Sequence, residues 1–168
     1  MDVKIDVSEN VRFIEKDSVL GVATEDGHYK KNVCLYPRVK RRINHYSDKI
    51  DKVHSVLVYH LIKDEIQLYS SIQLCRDVSS NKLINNLRKL FKNNVHWTKL
   101  EKSGLISVRS VKKSFVHKYV NRVRKNKEPK GIELDLGTMD SYLRIFSDDE
   151  EKYKRKERKA VTNPFEGE

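Results

Sequence analysis

The chain has 168 residues, and its 35 Lys and Arg residues outnumber its 24 Asp and Glu residues to give a net charge of +11. This length is sufficient for one domain with a core and too short for two ordinary domains. A hydrophobic content of 38% excludes a wholly disordered chain, and the excess of cations favours nucleic acid or an acidic protein surface as the partner.

The sequence predicts a cytoplasmic protein with no membrane partner. No run approaches 18 apolar residues, and the first ten residues are acidic and polar where a signal peptide is basic and then apolar. Cys34 and Cys75 each lie in an apolar run and lack the larger framework of a small secreted domain. Ala23 and Ala160 are the only alanines, whereas Lys, Asn, Ile and Tyr are abundant. This usage suggests an AT-rich genome, as in bacteriophages and mobile elements of low-GC bacteria.

Three runs between residues 11 and 36 have the β-branched and aromatic residues of strands, namely VRFI, SVLGVAT and NVCLY. A turn at Glu25-Asp26-Gly27 separates two of them, so an antiparallel hairpin or meander is predicted. Pro37 ends the last run. We expect the cations that follow it to form a first basic patch that contacts a polyanion: Arg38, Lys40, Arg41 and Arg42.

Residues 47–76 fit two structures. Ile50, Val53, Leu57 and Leu61 recur at helical spacing behind Ser47. The runs at 56–59 and 66–69 also read as two strands around a turn. From the sequence, this segment contributes either two helices or an extension of the antiparallel sheet.

Residues 79–93 predict an amphipathic helix that begins after Ser79 or Ser80. Two strand-like runs follow at 95–100 and 105–111, and Gly104 in the connection favours a β-hairpin. A helix followed by a hairpin is the order of the recognition helix and wing in a winged helix-turn-helix. That arrangement predicts DNA contacts from Asn81, Lys82, Asn85, Asn86 and Lys89 on the helix and from Lys99, Lys102 and Arg109 on the wing. The alternative is an ordinary helix and hairpin with a solvated basic surface.

A further amphipathic helix is predicted from about residue 112 to 127, with Ser110 as its cap and Pro129 beyond its end. Residues 109–130 hold nine cations and one acid, Glu128. Such density favours phosphate contacts, and the predicted contact residues are Arg109, Lys112, Lys113, Lys118, Arg122, Arg124 and Lys125. The apolar stripe of this helix also makes a homodimer an option.

Beyond Gly131 the apolar content falls, and a block of acids at 148–151 precedes a block of bases. We expect a basic α+β domain at residues 1–130 and a loosely ordered, charged C-terminal tail at 131–168. The predicted fold is a single α+β domain in which an N-terminal antiparallel hairpin or meander precedes amphipathic helices and a β-hairpin.

The sequence gives little indication of catalysis. The six His and two Cys residues lack the spacing of a zinc site, and no phosphate-binding glycine loop or hydrolase nucleophile motif occurs. No catalytic residue, metal ligand or cofactor is therefore predicted. Asp48, Asp51, Asp64 and Glu65 are the candidates for a hidden metal-dependent nuclease, although turn and cap roles explain them more simply.

The sequence therefore favours a basic, non-enzymatic protein that binds DNA or RNA in replication or transcription. A phage-type inhibitor or adaptor that docks on an acidic surface of a host replication or transcription protein is the first alternative. An RNA-binding module that stacks bases on tyrosines of its sheet is the second.

Overall fold

A computed structural model describes the backbone of residues 1–162 and the side chains of residues 1–148 and 154–159. Its strands are β1 (Asp2–Ser8), β2 (Ser18–Ala23), β3 (Lys30–Leu35), β4 (Ser71–Leu74), β5 (Ile106–Val108) and β6 (Ile132–Glu133). Its α-helices are α1 (Pro37–Lys40), α2 (Ile50–Ile62), α3 (Ser80–Leu90), α4 (Val95–Lys102), α5 (Phe115–Arg124) and α6 (Leu136–Thr162), and short 3₁₀ helices lie at Tyr46–Lys49 and Ile66–Leu68. The predicted α+β class is confirmed.

The six strands form one mixed sheet in the order β5-β4-β1-β2-β3-β6. β2 runs antiparallel to its neighbours β1 and β3. β4 pairs parallel with β1, β5 with β4, and β6 with β3. Every strand except β2 therefore points in the same direction, and the carboxyl ends of those five strands lie at one edge of the sheet.

Helices cover both faces of the sheet. Gly21 in β2 faces α5, because a Cβ at this position would lie 2.5 Å from Val120 Cγ1. α2 contacts β2 and β3 and also packs against α3 and α6. Every residue of β2 is buried, so α5 lies on one face of the sheet and α2 on the other. The chain thus forms three layers around a single core.

Replacing Gly21 by Ala is expected to lower the free energy of unfolding by about 1–3 kcal/mol, because Val120 is fully buried and cannot move away from the added methyl group. Urea unfolding measures the effect. Gly137→Ala is the control, since the nearest atom to its added Cβ is the Asp135 carboxylate at an ordinary 3.4 Å. Equal stability of the two variants would show that α5 does not pack closely on β2.

The meander is confirmed with a different first strand. β2 and β3 form the predicted antiparallel hairpin, but residues 11–14 form turns and β1 lies upstream of them. Asn10 holds this turn by accepting a hydrogen bond from Arg12 N at 3.0 Å. Polar residues alternate strictly with Val3, Ile5 and Val7 along β1, which is the pattern of a strand with one apolar face. The sequence therefore contained the signal for β1, although the segment was interpreted only as an acidic and polar N-terminus. Asp6 and Ser8 on the polar face are nevertheless buried.

The hairpin predicted at 95–111 is wrong. Residues 95–102 form the helix α4, and β5 pairs parallel with β4. Asn94 caps α4 by accepting a hydrogen bond from Trp97 N at 3.0 Å. Trp97 and Leu100 lie three residues apart and are both buried, so capping and helical spacing outweigh the strand-like residue types. The winged helix-turn-helix interpretation is therefore wrong as well.

Of the two interpretations of residues 47–76, the helical one is right for the first half, which forms α2. The strands predicted at 56–59 and 66–69 are wrong, because the first lies in α2 and residues 66–68 form a 3₁₀ helix. The strand that does form, β4, lies further along the chain and pairs parallel with β1 and β5. The two later amphipathic helices, α3 and α5, are confirmed. Ser114 caps α5, in place of the predicted Ser110, by accepting a hydrogen bond from His117 N at 3.4 Å.

The folded core extends beyond residue 130. β6 pairs with β3, and four apolar side chains of residues 131–148 are buried: Leu134, Met139, Leu143 and Phe146. α6 continues to Thr162, and residues 154–159 are exposed. The last six residues of the predicted tail, 163–168, lie outside the described residues. In the part of the chain that the structure describes, no helix is long and apolar enough to cross a membrane.

Candidate active site at the carboxyl edge of the sheet

Three segments that are distant in sequence meet where β1, β4 and β5 end. Asp6 lies in β1, Cys75 and Asp77 follow β4, and His117 lies in the first turn of α5, which follows β5. The carboxyl ends of parallel strands are a common place for ligand sites, because the connecting loops and helix N-termini converge there. The chain topology thus places chemically active side chains at one edge.

Backbone hydrogen bonds hold these segments in register. Cys75 N donates to Ile5 O at 3.0 Å, and Arg109 N donates to Leu74 O at 2.9 Å. Asp6 lies opposite Gly21 in the β1–β2 ladder, so its side chain points to the face that α5 covers. The end of β4 and the start of α5 consequently meet at Asp6.

The side chains of the two aspartates and Cys75 lie close together. Single ligand atoms from Asp6, Cys75 and Asp77 all lie within 4.8 Å of one another. The Asp6 side chain is only 6% exposed, whereas Asp77 is exposed. They line a cleft of about 360 Å³, which we call the carboxyl-edge cleft and which is formed by Asp6, Val7, Cys75, Arg76, Asp77, Ser110, Val111, Lys112 and His117.

Asp6 is a buried carboxyl group in an electrostatically unfavourable place. Burial raises its pKa, and the negative charge of Asp77 raises it further. Hydrogen bonds from His117 and from Val7 N oppose this shift; the distances are 2.7 Å from His117 Nδ1 and 2.9 Å from Val7 N. Two carboxylates that repel each other in a cleft are stabilised by a cation placed between them.

A chain of hydrogen bonds orients His117. Its Nδ1 donates to the Asp6 carboxylate, which leaves Nε2 as an acceptor 3.5 Å from the side-chain amide of Asn121. Asn121 in turn accepts a hydrogen bond from Ser8 Oγ at 2.8 Å, and Arg124 Nε donates to the same hydroxyl at 2.9 Å. His117 therefore fixes the orientation of the Asp6 carboxylate.

His54 in α2 does not line the cleft. Its side chain is fully buried, and neither ring nitrogen has a hydrogen-bond partner among the described residues. Burial lowers its pKa to about 4, and the charges of Asp77 and Asp51 act against this shift. The ring is therefore neutral at pH 7.

The thiol of Cys75 is buried at the base of the cleft. Burial raises its pKa well above the ordinary value, and the charge of Asp77 adds to the shift. Cys75 is thus a protonated thiol of low reactivity at neutral pH. Both cysteines are free and buried, as the sequence predicts.

Two cations without acidic partners line the cleft, namely Arg76 and Lys112. Arg109, Lys113 and Lys118 lie in the same β5–α5 segment as Lys112. All five are exposed, and none forms an ion pair with any residue whose side chain the structure describes. These cations are free to contact phosphates.

The first predicted basic patch has mainly structural roles. Lys40 is fully buried, so the prediction that it contacts a polyanion is wrong. Its ammonium group donates to Phe13 O, Lys16 O and Ser18 Oγ at 2.6–2.9 Å. Arg38 pairs with Glu133, and Arg41 pairs with Glu15. Arg42 is exposed, and the described residues provide it with no ion pair.

The predicted contact residues on α3 are largely engaged within the chain. Lys82 pairs with Asp51. Asn85 accepts a hydrogen bond at its Oδ1 from Arg88 Nη1 at 3.0 Å. Asn86 donates to Ser55 Oγ at 3.2 Å. Asn81 and Lys89 remain exposed.

Other predicted contact residues lie away from the carboxyl-edge cleft or are paired. Lys99 and Lys102 lie on α4, and Lys99 lines a different groove with residues that precede β4 and β5, at the opposite edge of the sheet. Arg122 pairs with Glu128, and Arg124 lies 3.9 Å from Glu9. Lys125 is exposed. The structure thus brings together only part of the predicted set.

Sequence reasoning missed the acidic centre of the cleft. Of the four predicted nuclease carboxylates, Asp51, Asp64 and Glu65 pair with neighbouring lysines, and Asp48 lies in a short 3₁₀ helix. The sequence did contain one indication that Asp6 is unusual, because it is an acidic residue between two apolar residues of a strand. Its pairing with Asp77 depends on the parallel β1–β4 contact, which no local pattern reveals.

No protein-family model, curated protein or solved structure matches this chain.

Proposed function

We propose that the protein binds nucleic acid across the carboxyl-edge cleft and hydrolyses phosphodiester bonds with a divalent cation held by Asp6 and Asp77. One observation supports this proposal above others: two carboxylates from separate segments converge within 4.8 Å in a cleft bordered by unpaired cations. Carboxylate oxygens are the ligands that Mg²⁺ and Mn²⁺ prefer. The net charge of +11 supports the nucleic-acid binding in this proposal, and the acidic cluster in the cleft supports the hydrolysis.

Each residue of the cleft has a defined part in this proposal. Asp6 and Asp77 would hold a divalent cation, and the hydrogen bond from His117 orients Asp6. The cation would act as a Lewis acid that polarises a phosphate and lowers the pKa of water. Arg76 and Lys112 line the same cleft, where their charge favours phosphate groups and offsets the repulsion between the carboxylates and the substrate.

The direct test is cleavage of labelled single-stranded, duplex and branched DNA and of RNA by the purified protein with Mg²⁺ or Mn²⁺. We expect cleavage of one of these substrates, and EDTA should abolish it. Cleavage that persists in EDTA, or no cleavage of any substrate with either cation, would contradict the proposed hydrolysis.

Binding is tested separately in EDTA, where hydrolysis cannot occur. Replacing Lys112 and Lys113 by Gln should weaken binding of the preferred substrate roughly 10-fold and reduce the slope of log K against log salt by about 2, since each phosphate contact contributes about 0.9. Fluorescence anisotropy at several salt concentrations measures both.

The matched control replaces Lys99 and Lys102 by Gln. This variant carries the same change of net charge at the opposite edge of the sheet, and it should keep nearly the original affinity and slope. Equal losses in the two variants would show that binding depends on total charge and not on the cleft.

A further inference from the structure

Cys75 gives the carboxyl-edge cleft a donor that a magnesium or manganese site does not require. Its sulfur lies within 4.8 Å of ligand oxygens of both Asp6 and Asp77. A thiolate with two carboxylates is a mixed donor set of the kind that binds zinc and other thiophilic cations. Mg²⁺ and Mn²⁺ need only the carboxylate oxygens, whereas Zn²⁺ also binds a thiolate. The presence of the thiol therefore favours the second class of metal.

We infer that the cleft is also a binding site for a thiophilic divalent cation of the Zn²⁺ class, held by Asp6, Cys75 and Asp77. Such a cation deprotonates the thiol that coordinates it, and the proton passes to the solvent. A thiolate is a soft ligand that Zn²⁺ binds strongly, whereas Mg²⁺ takes oxygen ligands and water. The cleft therefore retains Zn²⁺ more tightly than Mg²⁺.

The cleft that holds the donors is also open to solvent. Cys75 and both aspartates line the carboxyl-edge cleft, whose volume is about 360 Å³. A cation can therefore enter the cleft and reach the sulfur and both carboxylates together.

This site has a consequence for activity that rests on the proposed function. A Zn²⁺ ion held by Cys75 occupies the carboxylates that the catalytic cation needs. Micromolar Zn²⁺ should then inhibit cleavage that Mg²⁺ supports. The binding of a thiophilic cation itself does not depend on whether the protein cleaves nucleic acid.

The test uses Co²⁺ as a spectroscopic substitute for Zn²⁺, because Co²⁺–thiolate bonds produce a near-ultraviolet charge-transfer band. We expect the band when the full-length protein is titrated with Co²⁺, and we expect Zn²⁺ to displace it. Cys75→Ser should remove the band. Cys34→Ser is the matched control, since Cys34 is also buried and free but lies in β3 outside the cleft.

Asp77→Asn provides a second variant that keeps the thiol and changes an exposed side chain, so folding is not at risk. It should weaken Co²⁺ binding about 10-fold or more, as expected for a lost ligand. A wild-type protein without the band, or a band that survives in Cys75→Ser, would overturn the inference. The band together with absent nuclease activity would leave the inference intact and reject only the proposed function.

Discussion

Replacing Asp6 by Asn should abolish metal-dependent cleavage while the protein stays folded. The substitution removes the charge that holds the cation, and several kcal/mol of transition-state stabilisation correspond to a rate loss of about 1,000-fold. Single-turnover cleavage with saturating Mg²⁺ or Mn²⁺ measures this loss. Asp64→Asn is the control, because the Asp64 side chain is 70% exposed and lies outside the cleft.

Although Asp6→Asn should lose activity, we expect it to keep or gain stability. Because the pKa of Asp6 is raised in the folded protein, the ionised carboxylate destabilises the fold at pH 7, and a neutral amide of the same shape removes that penalty. The free energy of unfolding of Asp6→Asn should therefore be unchanged or higher. Lost activity with lost stability would indicate a structural role for Asp6, and retained activity would exclude it as a metal ligand.

Replacing Lys40 by Met should destabilise the fold by about 3 kcal/mol, since one buried acceptor and two partly buried acceptors lose their donor. Urea unfolding at pH 7 provides the measurement. Arg42→Met is the matched control from the same predicted patch, and its effect should remain within about 0.5 kcal/mol because the side chain is exposed. If the two variants have equal stability, Lys40 does not hold the segment around Phe13 and Lys16.

We also expect the buried Lys40 side chain to make the free energy of unfolding depend on pH. Burial lowers its pKa from 10.5 to about 8 in the folded protein. Between these pH values the unfolded chain binds more protons than the folded chain, so this group makes stability rise with pH from about 8 to 10.5. The difference in unfolding free energy between wild type and Lys40→Met isolates this contribution, because other titrating groups are common to both proteins.

The parts of the fold that local patterns predict are those that local interactions determine. α3 and α5 follow from apolar residues at helical spacing, and β2 and β3 follow from β-branched runs around a turn. α4 was missed because its residue types are typical of strands, whereas its cap at Asn94 and the buried pair Trp97 and Leu100 determine a helix.

The candidate site was beyond the reach of sequence reasoning for a different reason. Its members come from three segments, and the hydrogen bond between His117 and Asp6 spans 111 positions. Only the parallel pairing of β1 with β4 and of β4 with β5 brings those segments together. The cation-rich segment at 109–130 could be identified by charge alone, because its cations are close together in the sequence. Asp6 and Asp77 come from other segments, so no local pattern links them to it.

A predicted homodimer through the last basic helix loses its structural basis. The stripe formed by Val116, Val120 and Val123 is buried within the same chain, where α5 contacts β1 and β2. No apolar face of α5 therefore remains for a second copy.

The two outermost strands, β5 with three residues and β6 with two, limit how this protein can associate with others. Edge strands this short offer another polypeptide few unpaired main-chain groups, which disfavours strand addition there. β6 covers only Val33 and Cys34 of β3. The uncovered outer edge of β3 begins with Lys30 and Lys31, and lysines at a sheet edge deter pairing with a further strand.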